Sequence, residues 1–258
     1  MTPATPLRPA HYSDARTRSL LLLLVLAILS GWCAAQDRSV SAAYSAELEQ
    51  RVTALTNEFR KDNGLPPLEP ETRLSEAARY FAGHLASTGR LDHDADGTTP
   101  PERVKKRGYS YCMVAENLAS EFSPAGFAAD RLASNLVQGW RDSPTHRENM
   151  LLPDITQIGV GLARSQKDGE YFAVQVFARP LSQMLKFRVT NRSNATVRYD
   201  FRKRTVTLGP RQGRMHESCA AGDLRLDTGG QNLVMRPRDG GRYAIMQAGS
   251  SGFRWQDE

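Results

Sequence analysis

The sequence predicts an α+β protein, with a helix-rich segment that ends in a strand pair and then a small all-β module. Three observations carry this. Apolar residues recur at helical spacing early in the chain, as in Leu48, Val52, Leu55 and Phe59. After Pro180 the texture changes to short apolar runs between Gly, Pro, Asn and Asp. Charge changes at the same place: residues 36–181 hold 17 Lys+Arg against 20 Asp+Glu, whereas residues 182–258 hold 14 against 7. Over all 258 residues the composition is 40% hydrophobic and 24% charged, which supplies a sizeable core, and 3 Cys are too few for a disulfide-dense scaffold.

Residues 1–35 read as an address rather than as structure. Arg8, Arg16 and Arg18 precede ten unbroken apolar residues, Leu20–Leu29, and the small pair Ala34-Ala35 follows. A basic start, a short apolar stretch and a small-residue exit make a secretory signal peptide. Even extended to Ala35 the segment has 16 residues, short of the roughly 20 that a membrane-spanning helix needs. Cleavage after Ala35 leaves Gln36 first and a secreted or periplasmic chain with no transmembrane segment. The competing reading is a lipoprotein anchored on Cys33, against which the bulky Trp32 argues.

The elements follow in order. The first helix is stopped by Asn63-Gly64. Leu74, Ala77, Ala78, Phe81 and Leu85 mark a second helix, ended by Gly89. A third, short helix starts at Thr99-Pro100-Pro101-Glu102, where Thr at the N-cap, Pro at N1 and Glu at N3 form a capping box, and Gly108 ends it. Ala128, Leu132, Leu136 and Trp140 mark a fourth. Two strands close the segment, Ile158–Ser165 and Tyr171–Arg179, joined at Lys167-Asp168-Gly169. Beyond Pro180 the strand candidates are Leu185–Thr190, Thr196–Phe201, Thr205–Leu208, Asp223–Leu226, Leu233–Arg236 and Arg242–Gln247, a sandwich or barrel pattern.

The basic balance belongs to the β module, 182–258, and is dispersed; Arg202-Lys203-Arg204 is its one run. It suits a solvated surface, docking on the acidic segment, or contact with an anionic envelope polymer or lipid. No aromatic-rich RNA-binding signature, zinc-finger spacing or helix-turn-helix pattern accompanies it, so nucleic acid is not among the expected partners. In an oxidising compartment the two Cys left after signal removal, Cys112 and Cys219, are expected to pair.

Chemistry-bearing residues are few. His84 reads as a boundary side chain of the second helix and His216 as a structural residue of the β module. The run Asp92-His93-Asp94-Ala95-Asp96-Gly97 opens like an EF-hand loop, but its twelfth position is Arg103 rather than Glu, and Pro100-Pro101 interrupt it. That excludes an EF-hand. Glu116 lies in Val114-Ala115-Glu116-Asn117-Leu118, either half buried with partners or exposed in a loop. Ser143-Pro144 starts a new turn with His146 at N3, where the positive end of the turn favours neutral imidazole.

The series Leu91-Asp92-His93 with Gly97, Arg103, Gly108-Tyr109, Glu116-Asn117-Leu118, Trp140 with Ser143-Pro144, His146-Arg147-Glu148-Asn149, Ile158-Gly159-Val160-Gly161 and Gln175 with Phe177 resembles the CAP superfamily (cysteine-rich secretory proteins, antigen 5, pathogenesis-related 1) in its bacterial, SCP-like form. The resemblance covers the domain at about 41–180 and leaves the β module unassigned. It implies an α-β-α sandwich with a cleft built around two His and two acidic residues. His93, Glu116 and His146 occupy three of those places; the fourth falls on Ser143, a departure that Asp142 or Glu148 would have to make good. Two imidazoles and one carboxylate form a three-ligand set for zinc or another divalent cation. The expected function is binding of a metal or polar ligand without assured catalysis. A metal-dependent hydrolase and a lipid- or sterol-binding protein are the alternatives, and no nucleophile-elbow pattern supports a serine hydrolase.

Overall fold

A computed structural model describes residues 43–228, 232–249 and 252–258. The signal segment, its exit at Ala35 and the alternative anchor Cys33 lie outside the described residues. The chain divides into Met1–Glu47, described only at 43–47, and Leu48–Glu258. No helix among the described residues is long and apolar enough to cross a membrane.

Helix α1 covers 43–62 and stops at Asn63-Gly64 as the sequence predicts, with Leu48, Val52 and Phe59 buried. After the short strand β1 (Glu69–Pro70), α2 (Thr72–Thr88) buries Leu74, Ala77, Ala78, Phe81 and Leu85 and ends on Gly89 in the left-handed conformation. In α3 (Pro100–Lys106) the capping box is present, the Thr99 N–H donating to the Glu102 carboxylate at 2.8 Å. Then come β2 (Tyr111–Glu121), α4 (Ala129–Asp142) and α5 (Pro144–Met150), and finally the hairpin of β3 (Gln157–Arg164) and β4 (Tyr171–Pro180).

These strands make one sheet in the order β1-β3-β4-β2. Alternation along β4 sorts its residues between two faces. Phe172, Val174, Val176 and Ala178 join the core under α2, while Ala173, Gln175 and Phe177 are buried on the other side, where Gln175 Nε2 donates to Thr56 Oγ1 of α1 at 2.7 Å. The sheet is thus layered between α2 and α1. The close approach of α2 requires Gly159 and Gly161 of β3. A Cβ on either would fall inside the contact radius of α2 backbone, at Leu74-Ser75 for Gly159 and Ala78-Arg79 for Gly161.

Strand β2 is the longest element that the sequence pattern does not reveal. Glu116 and Asn117 are adjacent polar residues, so strict apolar alternation is broken. Both are nevertheless buried, one on each face.

Residues 185–257 form two four-stranded sheets. One has the order β10-β9-β6-β7 and the other β12-β11-β5-β8. The strands are β5 (Leu185–Asn191), β6 (Val197–Phe201), β7 (Arg204–Leu208), β8 (Gly213–Ser218), β9 (Leu224–Asp227), β10 (Asn232–Met235), β11 (Arg242–Ala248) and β12 (Gly252–Asp257). Phe187, Val189 and Ile245 of one sheet pack against Tyr199, Leu224 and Leu226 of the other in a shared core, a β-sandwich. Two of these strands, β8 and β12, have no counterpart in the sequence prediction. In β8 the usual polarity is inverted: Met215 is 57% exposed, whereas His216 and Ser218 are buried.

Cys112, at the start of β2, and Cys219, just after β8, form a disulfide across a sequence separation of 107. Beside it the Ala221 N–H donates to Asp154 Oδ1 at 2.8 Å. The fold makes Gly161→Ala a stringent test of the α2–β3 approach. Because backbone rather than a flexible side chain blocks the new methyl, it is expected to cost about 3 kcal/mol or more in chemical denaturation, while Gly139→Ala, with open space around its Cβ position, is expected to leave stability within about 1 kcal/mol or raise it.

Candidate functional site

The site is built on the edge strand β2. With a side-chain period of two, neighbouring Glu116 and Asn117 point to opposite faces of the sheet. Asn117 Nδ2 donates to the His146 carbonyl at 3.0 Å and to Gln175 Oε1 at 3.2 Å, and its Oδ1 accepts from Asn149 Nδ2 at 2.9 Å. Asn149 Nδ2 also reaches the Glu116 carbonyl at 3.2 Å. These amides tie α5, and with it His146, to β2. Trp140, 1% exposed, fixes α4 to the same strand through Nε1 to the Leu118 carbonyl at 2.9 Å.

On the other face Glu116 meets Arg103 of α3. Both side chains are 2% exposed. Arg103 Nη2 donates to Glu116 Oε1 and Oε2 at 2.9 and 3.0 Å and to the His93 carbonyl at 2.9 Å. Its Nη1 donates to Asp96 Oδ1 at 3.0 Å and to the Thr98 carbonyl at 2.6 Å. The guanidinium carbon lies 3.4 Å from the centroid of the Phe81 ring, an arrangement of stacking and charge attraction suited to arginine. The aspartate-rich loop that opens like an EF-hand therefore spends Asp96 on a guanidinium.

His93 completes the cluster. Its Nδ1 donates to Glu116 Oε1 at 2.8 Å while its side chain stays 52% exposed. That hydrogen bond raises the His93 pKa above the ordinary imidazole value, against an opposing burial effect. His146, half-buried, is shifted the other way, first by burial and then by the charge of His93. The neutral imidazole expected at His146 from its place in the turn is thus favoured, with desolvation as the leading cause. The two rings are electrically coupled and carry opposite preferences, His93 for the proton and His146 against it.

The structure brings His93 and Glu116 into direct contact and sets His146 on the neighbouring α5. Among the described residues no group of three His, Cys, Asp or Glu side chains is arranged as a ready metal site. Asp142 accepts from Gln138 on its own helix at 2.9 Å, and Glu148 is exposed. His84 is half-buried, with its Nε2 3.1 Å from the Ala95 carbonyl. Arg103 is the residue whose importance sequence reasoning misses. The sequence shows it only as an obstacle to calcium and as one member of the ordered family series, since nothing in spacing pairs position 103 with position 116.

Residues 53–177 match the family model described as CAP, the cysteine-rich secretory protein family. The chain is 32% identical to the uncharacterized protein YkwD of Bacillus subtilis over 118 residues, 45% of this chain and 43% of that protein. It is also 32% identical to an uncharacterized protein of Borreliella burgdorferi over 102 residues, 40% of this chain and 60% of that one. The matches thus span about half the length of these relatives. Among solved structures, an outer surface protein from Borrelia burgdorferi aligns at 25% identity and a TM-score of 0.46, over 52% of this chain and 93% of that one. An extracellular protein containing a SCP domain from Bacillus anthracis aligns at 25% identity and a TM-score of 0.45, over 52% and 41%.

Two outcomes test the electrostatics. Arg103→Leu leaves Asp96 and Glu116 buried without their cation and is expected to cost about 3–5 kcal/mol in chemical denaturation. In a histidine titration followed by NMR, His93 is expected to lose its proton above, and His146 below, the ordinary imidazole value, and Glu116→Gln is expected to move the His93 midpoint down. Since the folded-state pKa of His93 is raised, its contribution to stability is full below the unfolded-state value and lost as pH rises through the folded one. The His146 contribution has the opposite sign, present above the unfolded-state value and lost as pH falls through the lowered one.

Proposed function

We propose, for a chain that carries a CAP domain over residues 53–177, that the two imidazoles of His93 and His146 form a binding site for a divalent cation, zinc foremost, or for a polar ligand. The observation that carries this reading is the commitment of Glu116. Its carboxylate is taken up by His93 Nδ1 and by Arg103. It therefore serves as an orienting partner rather than as a third ligand. A carboxylate on Nδ1 fixes the His93 ring and increases the basicity of Nε2, as in carboxylate–histidine–metal arrangements. The His93 side chain is half exposed, so that nitrogen is accessible to a ligand. His146 supplies a neutral imidazole without first losing a proton.

A bound cation would supply Lewis acidity and open positions for water or a polar ligand. The chain's own residues orient the two rings, keep Arg103 behind Glu116 and balance its charge. In this reading the chain is exported through its N-terminal segment, and the basic β module touches an anionic envelope polymer or lipid.

Zinc titration by calorimetry near neutral pH tests the site. Micromolar or tighter binding is expected in the wild type, lost in His93→Ala/His146→Ala with the circular dichroism spectrum retained. Glu116→Gln is expected to weaken binding by about 10- to 100-fold, and acidification to weaken it as the rings take up protons. Absence of wild-type binding, or binding that survives in the double variant, would overturn the metal reading.

A further inference from the structure

The β-sandwich carries a second candidate site that the CAP domain does not account for. Strands β7 and β8 are edge strands of the two facing sheets, and between them opens a cavity of about 560 Å3, the size of a small-molecule site. Arg202, Arg204 and Arg214 all line it. The acid on its wall, Glu217, is engaged by Lys186 Nζ at 3.1 Å. Among the described residues no carboxylate forms an ion pair with any of the three arginines. The cavity is therefore strongly positive.

Its frame is rigid. His216, buried at the cavity wall, is held by the Tyr199 hydroxyl at 2.6 Å from its Nε2 and stacks on Phe187 with ring centroids 4.8 Å apart. Arg202 Nη1 donates to Ser218 Oγ at 3.2 Å, and Cys219, also on the wall, is bonded to Cys112 of β2.

The hairpin that presents Arg202 and Arg204 is an independent observation. The β6–β7 connection is the two-residue turn Arg202-Lys203, with both residues at positive φ, 49° and 62°. Such turns are normally made by Asn-Gly or Gly-Gly because a Cβ is disfavoured there. Keeping two long side chains in a strained turn, with Arg202 on the cavity lining, is the pattern of a functional constraint. Blunting a sheet edge would require a charge on the strand, but neither a concave wall nor a strained turn.

We propose that this cavity binds a phosphate-bearing ligand through Arg202, Arg204 and Arg214. Guanidinium forks recognise both carboxylate and phosphate. Three forks on one lining offer more donors than the two oxygens of one carboxylate can accept, whereas a phosphate group presents three or more. The cavity is large enough for a phosphorylated small molecule or for one repeat of a phosphodiester polymer. This rests on the reading of the β module as a contact for anions and is independent of the histidine site.

The test is calorimetry of the purified chain at low ionic strength with three probes: glycerol 3-phosphate, inorganic pyrophosphate and long-chain polyphosphate. Wild type is expected to bind at least one of them, and Arg204→Gln/Arg214→Gln to bind at least about tenfold more weakly, as the loss of charge-assisted hydrogen bonds implies. Arg198→Gln, on β6 outside the cavity lining, and His93→Ala/His146→Ala are expected to bind as wild type does. Arg202→Asn/Lys203→Gly suits the turn better than the native pair, so its expected weakening cannot be ascribed to misfolding. Tighter binding of polyphosphate than of the small probes identifies a polymer repeat as the source, and the reverse a small phosphorylated molecule. No binding of any probe, unchanged binding in Arg204→Gln/Arg214→Gln, or equal weakening in Arg198→Gln would overturn the proposal. Anionic phosphatidylglycerol vesicles that hold Arg204→Gln/Arg214→Gln as tightly as wild type, with no probe bound, would remove the cavity while leaving the broader anionic contact standing.

Discussion

The candidate site of the helical domain depends on a buried ion cluster centred on Arg103. Arg103 is almost fully withdrawn from solvent between Asp96 and Glu116 and lies against the Phe81 ring, with main-chain carbonyls of His93 and Thr98 as further acceptors. Burying three charges carries a large desolvation cost, so the cluster is poor evidence for extra stability. Its consequence is positional. A guanidinium with this many fixed partners admits one arrangement of α2, α3, the aspartate-rich loop and the edge strand β2.

The histidine site inherits its geometry from that arrangement. Glu116 is oriented by Arg103, and His93 by Glu116, so the ring farthest from the core is positioned through two intermediaries. His146 reaches the same neighbourhood by a separate route, through the amides of Asn117 and Asn149 on the opposite face of β2. One dipeptide, Glu116-Asn117, thereby serves both histidines, and strand alternation divides the work. The opposite pKa shifts follow from that division. His93 has a carboxylate on its ring, whereas His146 has burial and a charged neighbour.

The β-sandwich repeats the theme with different chemistry. Its core is aromatic and aliphatic, but its open edge gathers arginines around a wall whose acid, Glu217, is paired with Lys186. Burial, with a smaller contribution from the nearby charge of Arg214, depresses the His216 pKa, which favours the neutral ring and leaves the positive character of that edge to its guanidiniums. The Cys112–Cys219 bond ties this edge to the start of β2, and one covalent link connects the wall of the second cavity to the strand that carries the first site.

Whatever depends on local periodicity and punctuation was legible in the chain before folding. That includes α1, α2 and α3 with their glycine or capping-box ends, the apolar stripe of α4, the β3–β4 hairpin, and most strands of the module after Pro180. The ordered residues around His93, Glu116 and His146 also carry the resemblance to the CAP family, whose model matches residues 53–177. Strand β2 escaped because Glu116 and Asn117 are each buried against a different layer, so apolar alternation is replaced by paired polar contacts. Strand β8 escaped because its inward residues are His216 and Ser218 and its outward one is Met215. The roles of Arg103 and of the arginine-lined cavity emerge only from the folded arrangement. A buried charge takes its meaning from the partner that neutralises it, 13 residues away for Glu116, and an arginine cluster from the wall that gathers it: Arg202 and Arg204 of the β6–β7 hairpin meet Arg214 of β8 only once the chain has folded.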